Sequence, residues 1–379
     1  MDRQKLSCPK ERKIMDMEKR LNSLKGIGIL ACIAVFFCHF RLAFAPDKML
    51  WIDSTPLRLL TSSGDTAIRI MFAVSGALIS YDYFCGRSYE EAPADILKRY
   101  FRLAPNVLAA HLIVYILMTC GLLYNAEAAQ LSGSLGFLDV FNDFVPKLFQ
   151  CLREAAFSCF LMGESSYIGP LWVMTYEFLG GLLVLAIIGL CRGNRTLRFI
   201  VYLIILSVFS SYYNYFILGM IVSELCAEGS AIKWLDSRRL TDLVLFFISL
   251  FIVSMLDIDD TNKTVRILFG AGLVLLLMTM IGSSWAGRLL GSRTMLLGGA
   301  LAYPVYVLHW PVIESFSSWL YIRLFSMGLG HRHMVLIDLA LTSILIAAVA
   351  WMFHTYVEAA GRGAIKYIDR YMKAQSHDR

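Results

Sequence analysis

The chain has 379 residues, of which 58% are hydrophobic and only 17% charged. Its mean hydropathy of +0.61 means more apolar surface than a soluble domain could hide. Nine cysteines follow neither a zinc spacing nor a disulfide framework, so no metal is expected, and an integral membrane protein is the remaining class.

Apolar runs long enough to cross ~30 Å of hydrocarbon recur near 24–45, 63–84, 103–125, 169–191, 197–212, 213–228, 240–257, 265–283, 299–322 and 334–358. They predict an all-α, polytopic membrane helix bundle of about ten transmembrane helices, with the split at Ser211 dividing a nearly continuous run. With the N-terminus inside, 25 of the 35 Lys and Arg fall on the inner side and 8 on the outer, leaving Arg41 and Arg69 within spans. Lys and Arg accumulate on the cytoplasmic face, so both termini are expected in the cytoplasm and the protein in the cell's inner membrane. The net charge of +6 is then an orientation signal that can also meet anionic lipid or phosphate, and it calls for no nucleic acid. Residues 1–20 read as a cytoplasmic lead, 21–360 as the membrane domain and 361–379 as a cytoplasmic tail.

The first span holds Lys25 at its inner end and His39 in its outer half, separated by ~21 Å of helical rise. An ionisable group within a bilayer is by default a functional candidate. Ala43-Phe44-Ala45 has the look of a cleavage site, but His39 and Arg41 interrupt the apolar run and Pro46 follows directly, so an uncleaved helix is expected. An outer loop from Pro46 to Ser62 leads to Asp65 and Arg69. Four residues apart, these two can neutralise each other on one helix face; the alternative is that Arg69 holds a carboxylate of another helix. Ser75-Gly76 supplies small residues that let helices approach closely.

At the inner end of the third span stand Arg99, Arg102 and Pro105. The proline suits a first helical turn, and the two arginines suit either topology and snorkelling or a clamp on phosphate oxygens. In the long outer loop 126–168, segment 137–161 has apolar residues at helical spacing, which suggests helices lying at the interface or folding back as a cap over a site. Its Cys151 and Cys159 could pair in an oxidising compartment, with two free thiols the favoured reading. Gly169-Pro170-Leu171-Trp172 opens the fourth span, with Glu177 about two turns in; a glutamate there is protonated, paired or facing water. Spans five to eight read as scaffold. The ninth carries Pro304, His309, Trp310 and Pro311, which predicts a kink beside a histidine that lines a cavity. His331 and His333 lack further ligands nearby and read as polar loop residues.

Four stretches, 25–39 (KGIGILACIAVFFCH), 72–76 (FAVSG), 169–178 (GPLWVMTYEF) and 303–311 (YPVYVLHWP), resemble in order and spacing the acyltransferase 3 family. These are membrane enzymes that move acyl groups, usually acetyl, onto hydroxyls of cell-surface glycans. The resemblance implies that His39 is the catalytic histidine, Arg99 and Arg102 the inner basic motif, Glu177 the acid after the Leu-Trp signature, and His309 with Trp310 the landmark of the late helix. Two departures stand out. The arginine usual eleven residues before this histidine is Gly28 here, with Lys25 near the same face one turn deeper, and an aspartate common before the Phe-x-x-Ser-Gly stretch is Arg69.

The implied chemistry is transfer from cytoplasmic acyl-coenzyme A, expected to be acetyl-coenzyme A, to a glycan or glycolipid hydroxyl. Lys25, Arg99 and Arg102 would meet the donor's phosphates and an uncharged His39 would act as general base. Glu177 or His309 would orient it, and Arg69 is a second candidate for the oxyanion. Expected partners are membrane lipid, the donor, the acceptor and envelope-glycan biosynthesis proteins. A transporter of the same fold is the rival reading.

Overall fold

The structure is a computed structural model that describes residues 9–46, 64–208, 211–256 and 262–377. Residues 1–8 of the expected lead and 47–62 of the expected first outer loop lie outside the described residues. Every described element is helical. In chain order these are α1 (Pro9–Phe44), α2 (Gly64–Phe84), α3 (Ala92–Thr119), α4 (Asn125–Ser132), α5 (Leu148–Arg153), α6 (Cys159–Leu161), α7 (Val173–Cys191), α8 (Arg195–Val208) and α9 (Tyr213–Glu228). After them come α10 (Ser230–Ser237), α11 (Arg239–Met255), α12 (Lys263–Gly282), α13 (Ser284–Leu290), α14 (Arg293–Val312), α15 (Ser318–Ser326), α16 (His331–Met352) and α17 (Glu358–His377). Single π turns carry α5 into α6, α14 into α15 and α16 into α17.

Among the described residues, seven helical stretches are long and apolar enough to cross a membrane: Asn22–Phe44, Gly64–Phe84, Tyr89–Thr119, Gly169–Cys191, Lys263–Gly282, Arg293–Ser326 and His331–Arg370. The other three expected spans coincide with α8, α9 and α11, which have 14, 16 and 17 residues. At 1.5 Å per residue these rise only ~21 to ~26 Å, which is why length and apolarity alone do not assign them as crossings. Helix also runs across both expected domain boundaries. The lead from Pro9 onward is continuous with the first span in one 36-residue helix, and the boundary at 360/361 falls inside α17.

The helix that carries the third span begins at Ala92, ahead of the apolar run expected near 103, with a proline in its first turn. Pro105 is therefore inside a helix, correcting its expected place at a start. Lacking an N–H, it leaves the carbonyl of Phe101 without its helical donor. The last helix comes in at this point: a Cβ on Gly361 would lie 2.6 Å from Phe101 O and 3.2 Å from Pro105 Cγ, so only glycine lets α17 seat against the interrupted turn.

α1 packs between α2 and α14, α2 is backed by α9 and α7, and α3 lies against α7 and α17. The α2–α9 seam is the tightest. A Cβ on Gly76 would penetrate the backbone of Phe216, and one on Gly219 would meet Ala73 O and lie 2.8 Å from Ala77 N. Of the small residues expected to allow close approach, Gly76 does so here. Gly219→Val should force the seam apart and cost about 1–3 kcal/mol. Thermal unfolding of the purified protein in lipid nanodiscs reads this directly. Gly28→Ala, whose Cβ would touch only Val74 Cγ1 at 3.8 Å, should leave the midpoint where it is.

Candidate active site

A cavity of about 940 Å3 runs between α1, α2, α3, α7, α14 and α17. On α1 its lining is Asn22, Lys25, Gly28 and Cys32, one residue every three or four positions, which is one face of a helix. Gly28 leaves this wall open where a side chain would otherwise stand. Besides Arg99, four cations border the space: Lys25, Arg102, Arg362 and Lys366. Lys25 and Arg102 keep exposed surface into it, and among the described residues neither is tied to a carboxylate. Arg362 lies 3.6 Å from Glu358, whose carboxylate also takes His354 at 2.7 Å and Asn106 at 3.1 Å. The tail was legible only as basic and amphipathic; the spacing of four between Arg362 and Lys366, one helix face, is the signal that could have placed them together.

Arg99 and Glu177 also reach this cavity, but they are spent on each other. Arg99 Nη2 donates to Glu177 Oε1 at 2.7 Å and to the backbone oxygen of Glu177 at 2.5 Å. Ser75 Oγ donates to the same carboxylate at 2.5 Å. Gly181 makes the room, because a Cβ there would overlap the guanidinium. Of the alternatives open for Glu177, pairing is the one found, and its partner is the arginine expected to hold phosphate. The hydrogen bonds that Glu177 makes among the described residues go to Arg99 and Ser75, not to His39. Ser75, read only as a small packing residue, is part of this buried network.

His39 lies seven residues beyond Cys32 on the same face, ~10 Å further along α1, with buried Val35 and Phe36 filling the turns between. It does not line the cavity. Its Nδ1 is 2.8 Å from His309 Nε2, and the two rings are nearly parallel, with centroids 5.0 Å apart and 6° between planes. His309 Nδ1 in turn lies 2.5 Å from Tyr306 O. A carbonyl can only accept, so His309 carries its proton on Nδ1, and a neutral His309 then offers a bare Nε2. His39 must donate from Nδ1, which leaves the lone pair on its Nε2 available. Tyr306 lines the cavity, so the top of the cavity is one turn of α14 below His309. Of the two groups expected beside His39, His309 is the one within hydrogen-bond distance of it.

Arg69 stands apart from both clusters. It donates to Asp65 at 2.6 Å and to the hydroxyl of Tyr215, and its guanidinium lies over the Tyr212 and Tyr215 rings at 5.1 Å each. The pairing with Asp65 is thus present, along the α2–α9 seam, and this placement gives no support to an oxyanion role.

The two prolines of α14 do not break it. Helix continues through Pro304 and Pro311, and the disturbance takes the form of the π turn Ile313–Ser317, a feature frequent at functional sites. Above it the outer loop folds back as a cap. Phe137 sits 6.1 Å from His39 and edge-on to Trp310 at 5.4 Å. The cap is tied to α3 by Glu154, which takes His111 at 3.4 Å and Tyr167 N at 3.0 Å. Cys151 and Cys159 are buried, unbridged thiols. Burial, with Glu154 nearby, pushes the Cys151 thiol up to about 11 and that of Cys159 higher still, so at neutral pH neither offers a thiolate for exchange. The scaffold reading of spans five to eight missed the buried pair of Arg198 and Glu224, 2.5 Å apart.

The spanning helices make this a multi-pass membrane protein. A family model described as an acyltransferase domain matches residues 21–355, so most of the described bundle, both histidines, Lys25 and Arg102 fall within it, while Arg362 and Lys366 of the cavity lie beyond its end. The chain belongs to the acyltransferase 3 family and is a membrane acyltransferase. No curated protein and no solved structure matches it.

Proposed function

We propose that the protein is a ten-crossing inner-membrane O-acyltransferase with both termini cytoplasmic. It moves an acyl group, acetyl in our reading, from cytoplasmic acyl-coenzyme A to a hydroxyl of a cell-surface glycan or glycolipid. One observation carries this reading. A chain of hydrogen bonds from Tyr306 O through His309 to His39 leaves a proton-accepting nitrogen on His39, beyond the end of a cavity that is bordered by Lys25, Arg102, Arg362 and Lys366.

The donor's phosphates meet those cations, and its thin pantetheine arm occupies the cavity, whose volume lies within the usual range for a substrate pocket. Displacement of the Tyr306 side chain then brings the thioester to His39. His39 Nε2 takes the acceptor's hydroxyl proton as the oxygen bonds to the acyl carbon. The carbon–sulfur bond breaks, and the coenzyme A thiolate recovers the proton. The charge that develops on His39 is shared with His309 through their hydrogen bond. Arg99 and Glu177 hold the wall of the cavity instead of touching the reacting atoms.

The test uses nanodisc protein, acetyl-coenzyme A labelled in the acetyl group and extracted envelope glycans. Label is expected on glycan hydroxyls with wild type and not with His39→Ala. Glycan translocation without any acyl donor, unchanged in His39→Ala, would overturn the reading in favour of a transporter.

A further inference from the structure

Beyond the histidine pair, on the side away from the cationic mouth, lies a second polar cluster that transfer from the donor does not use. Trp310 and Glu314 are four residues apart, so they share a face of the α14 extension, and both are fully buried at 1% and 0% exposure. Glu314 sits in the π turn, where Oε1 accepts from Asn142 Nδ2 at 2.9 Å. Asn142 belongs to the cap and holds a left-handed backbone, φ 64°, a conformation uncommon outside glycine. Three buried atoms here complete no hydrogen bond: Glu314 Oε2, Asn142 Oδ1 and Trp310 Nε1. The indole N–H is near enough to the Glu314 carboxylate to act on it as a hydrogen-bond donor, although the contact does not reach the geometry of a completed bond.

Buried polar atoms are nearly always paired, because leaving one unpaired is costly. Three together, beside a base that needs an alcohol, indicate a place built for a polar guest. They comprise two acceptors and one donor, set around an aromatic ring that His39 meets edge-on at 5.5 Å. The rest of that ring is covered from the cap by Phe137 and Phe141, each at 5.4 Å. Residues 133–147 contain no regular helix, and Phe137, Phe141 and Asn142 all come from this one stretch. Lifting it uncovers Trp310, Glu314 and His39 together.

Resting on the acyltransferase reading above, we infer that Trp310, Glu314 and Asn142 form the acceptor subsite, which takes a hydroxyl-rich sugar ring. The ring's apolar face lies against the indole, two hydroxyls donate to Glu314 Oε2 and Asn142 Oδ1, and an oxygen accepts from Trp310 Nε1. A simple aliphatic alcohol would leave most of these atoms unpaired, which selects against it. A neighbouring hydroxyl of the sugar is the one presented to His39.

The experiment uses the full chain in nanodiscs, with acetyl-coenzyme A and a panel of methyl glycosides as probes. Glu314→Ala and Asn142→Ala are expected to raise the KM for the preferred glycoside roughly tenfold or more, with the acetyl-coenzyme A Kd unchanged and the thermal midpoint near wild type. Trp310→Phe, which keeps a ring and loses the N–H, should show a smaller rise. Loss of donor binding together with turnover, at unchanged glycoside KM, would mean a structural role and overturn the subsite. A second readout does not depend on acyl transfer: glycoside titration should give a saturable tryptophan fluorescence change in wild type that is absent in Trp310→Phe. If acetyl-coenzyme A does not bind, the acyltransferase reading fails while this titration still decides the subsite; no Trp310-dependent change with any glycoside overturns the subsite alone.

Discussion

Replacing His39 by alanine is expected to lower the rate of acyl transfer between about 100- and 10,000-fold, the range typical of removing a general base, with donor binding intact. The expectation rests on the direction of the hydrogen-bond chain. Tyr306 O fixes the proton of His309 on Nδ1, His309 Nε2 then fixes that of His39 on Nδ1, and only His39 Nε2 is left to accept. His309 does not touch the acceptor in this arrangement; it positions His39. His309→Ala frees the His39 ring to rotate and to change tautomer, so a loss of roughly 10- to 100-fold in kcat is expected, with little change in either KM. His309→Gln is the informative companion, because an amide oxygen can stand near the lost Nε2 and accept from His39 Nδ1. Partial recovery in glutamine over alanine, at equal thermal stability, supports a positioning role. Equal activity of the two would mean that His309 contributes only packing. Single-turnover measurements with labelled acetyl-coenzyme A separate these outcomes from effects on product release.

The residues on which this rests were legible to different degrees. His39 and His309 are each a lone imidazole in a long apolar run, and intramembrane ionisable groups stand out against such a background. That they meet across 270 residues of chain was not legible, since spacing orders residues along one helix and says nothing of which helices become neighbours. Glu177 was visible for the same reason as the histidines, but its choice of Arg99 over His39 depends on Gly181 clearing space for a guanidinium. Glu314 is equally a carboxylate inside an apolar span, yet it stands close after Trp310-Pro311 and was passed over. The outer cap was read from its apolar spacing, and the structure adds that Phe137 brings it down onto Trp310 and His39. Pro105 misled because the proline at the true helix start stands twelve residues earlier, so a strong local start signal was placed in the helix interior. Neighbours in space thus decide what neighbours in sequence leave open, above all which of several cations keeps its charge available.

Arg99 and Arg102 are the sharpest case of that last point, because sequence treats them as one motif and the structure gives them opposite work. Arg99→Ala removes the counter-charge of a carboxylate inside the bundle and leaves Glu177 and Ser75 facing an empty space. Breaking a buried pair from one side costs about 3–5 kcal/mol, so a large drop in the thermal midpoint and poor recovery from the membrane are expected. Removing the pair together, Arg99→Met with Glu177→Leu, should restore much of that stability, since no uncompensated charge remains. Arg102→Ala should leave stability unchanged, because no carboxylate among the described residues depends on it, and should raise the acyl-coenzyme A KM about tenfold through loss of charge-assisted hydrogen bonds. That penalty should shrink as salt rises, because the mouth of the cavity is open to screening ions. Thermal unfolding and donor titration on the four proteins decide the matter. A stable Arg99→Ala that binds donor weakly, paired with an Arg102→Ala that binds it normally, would reverse the assignment and make Arg99 the phosphate ligand.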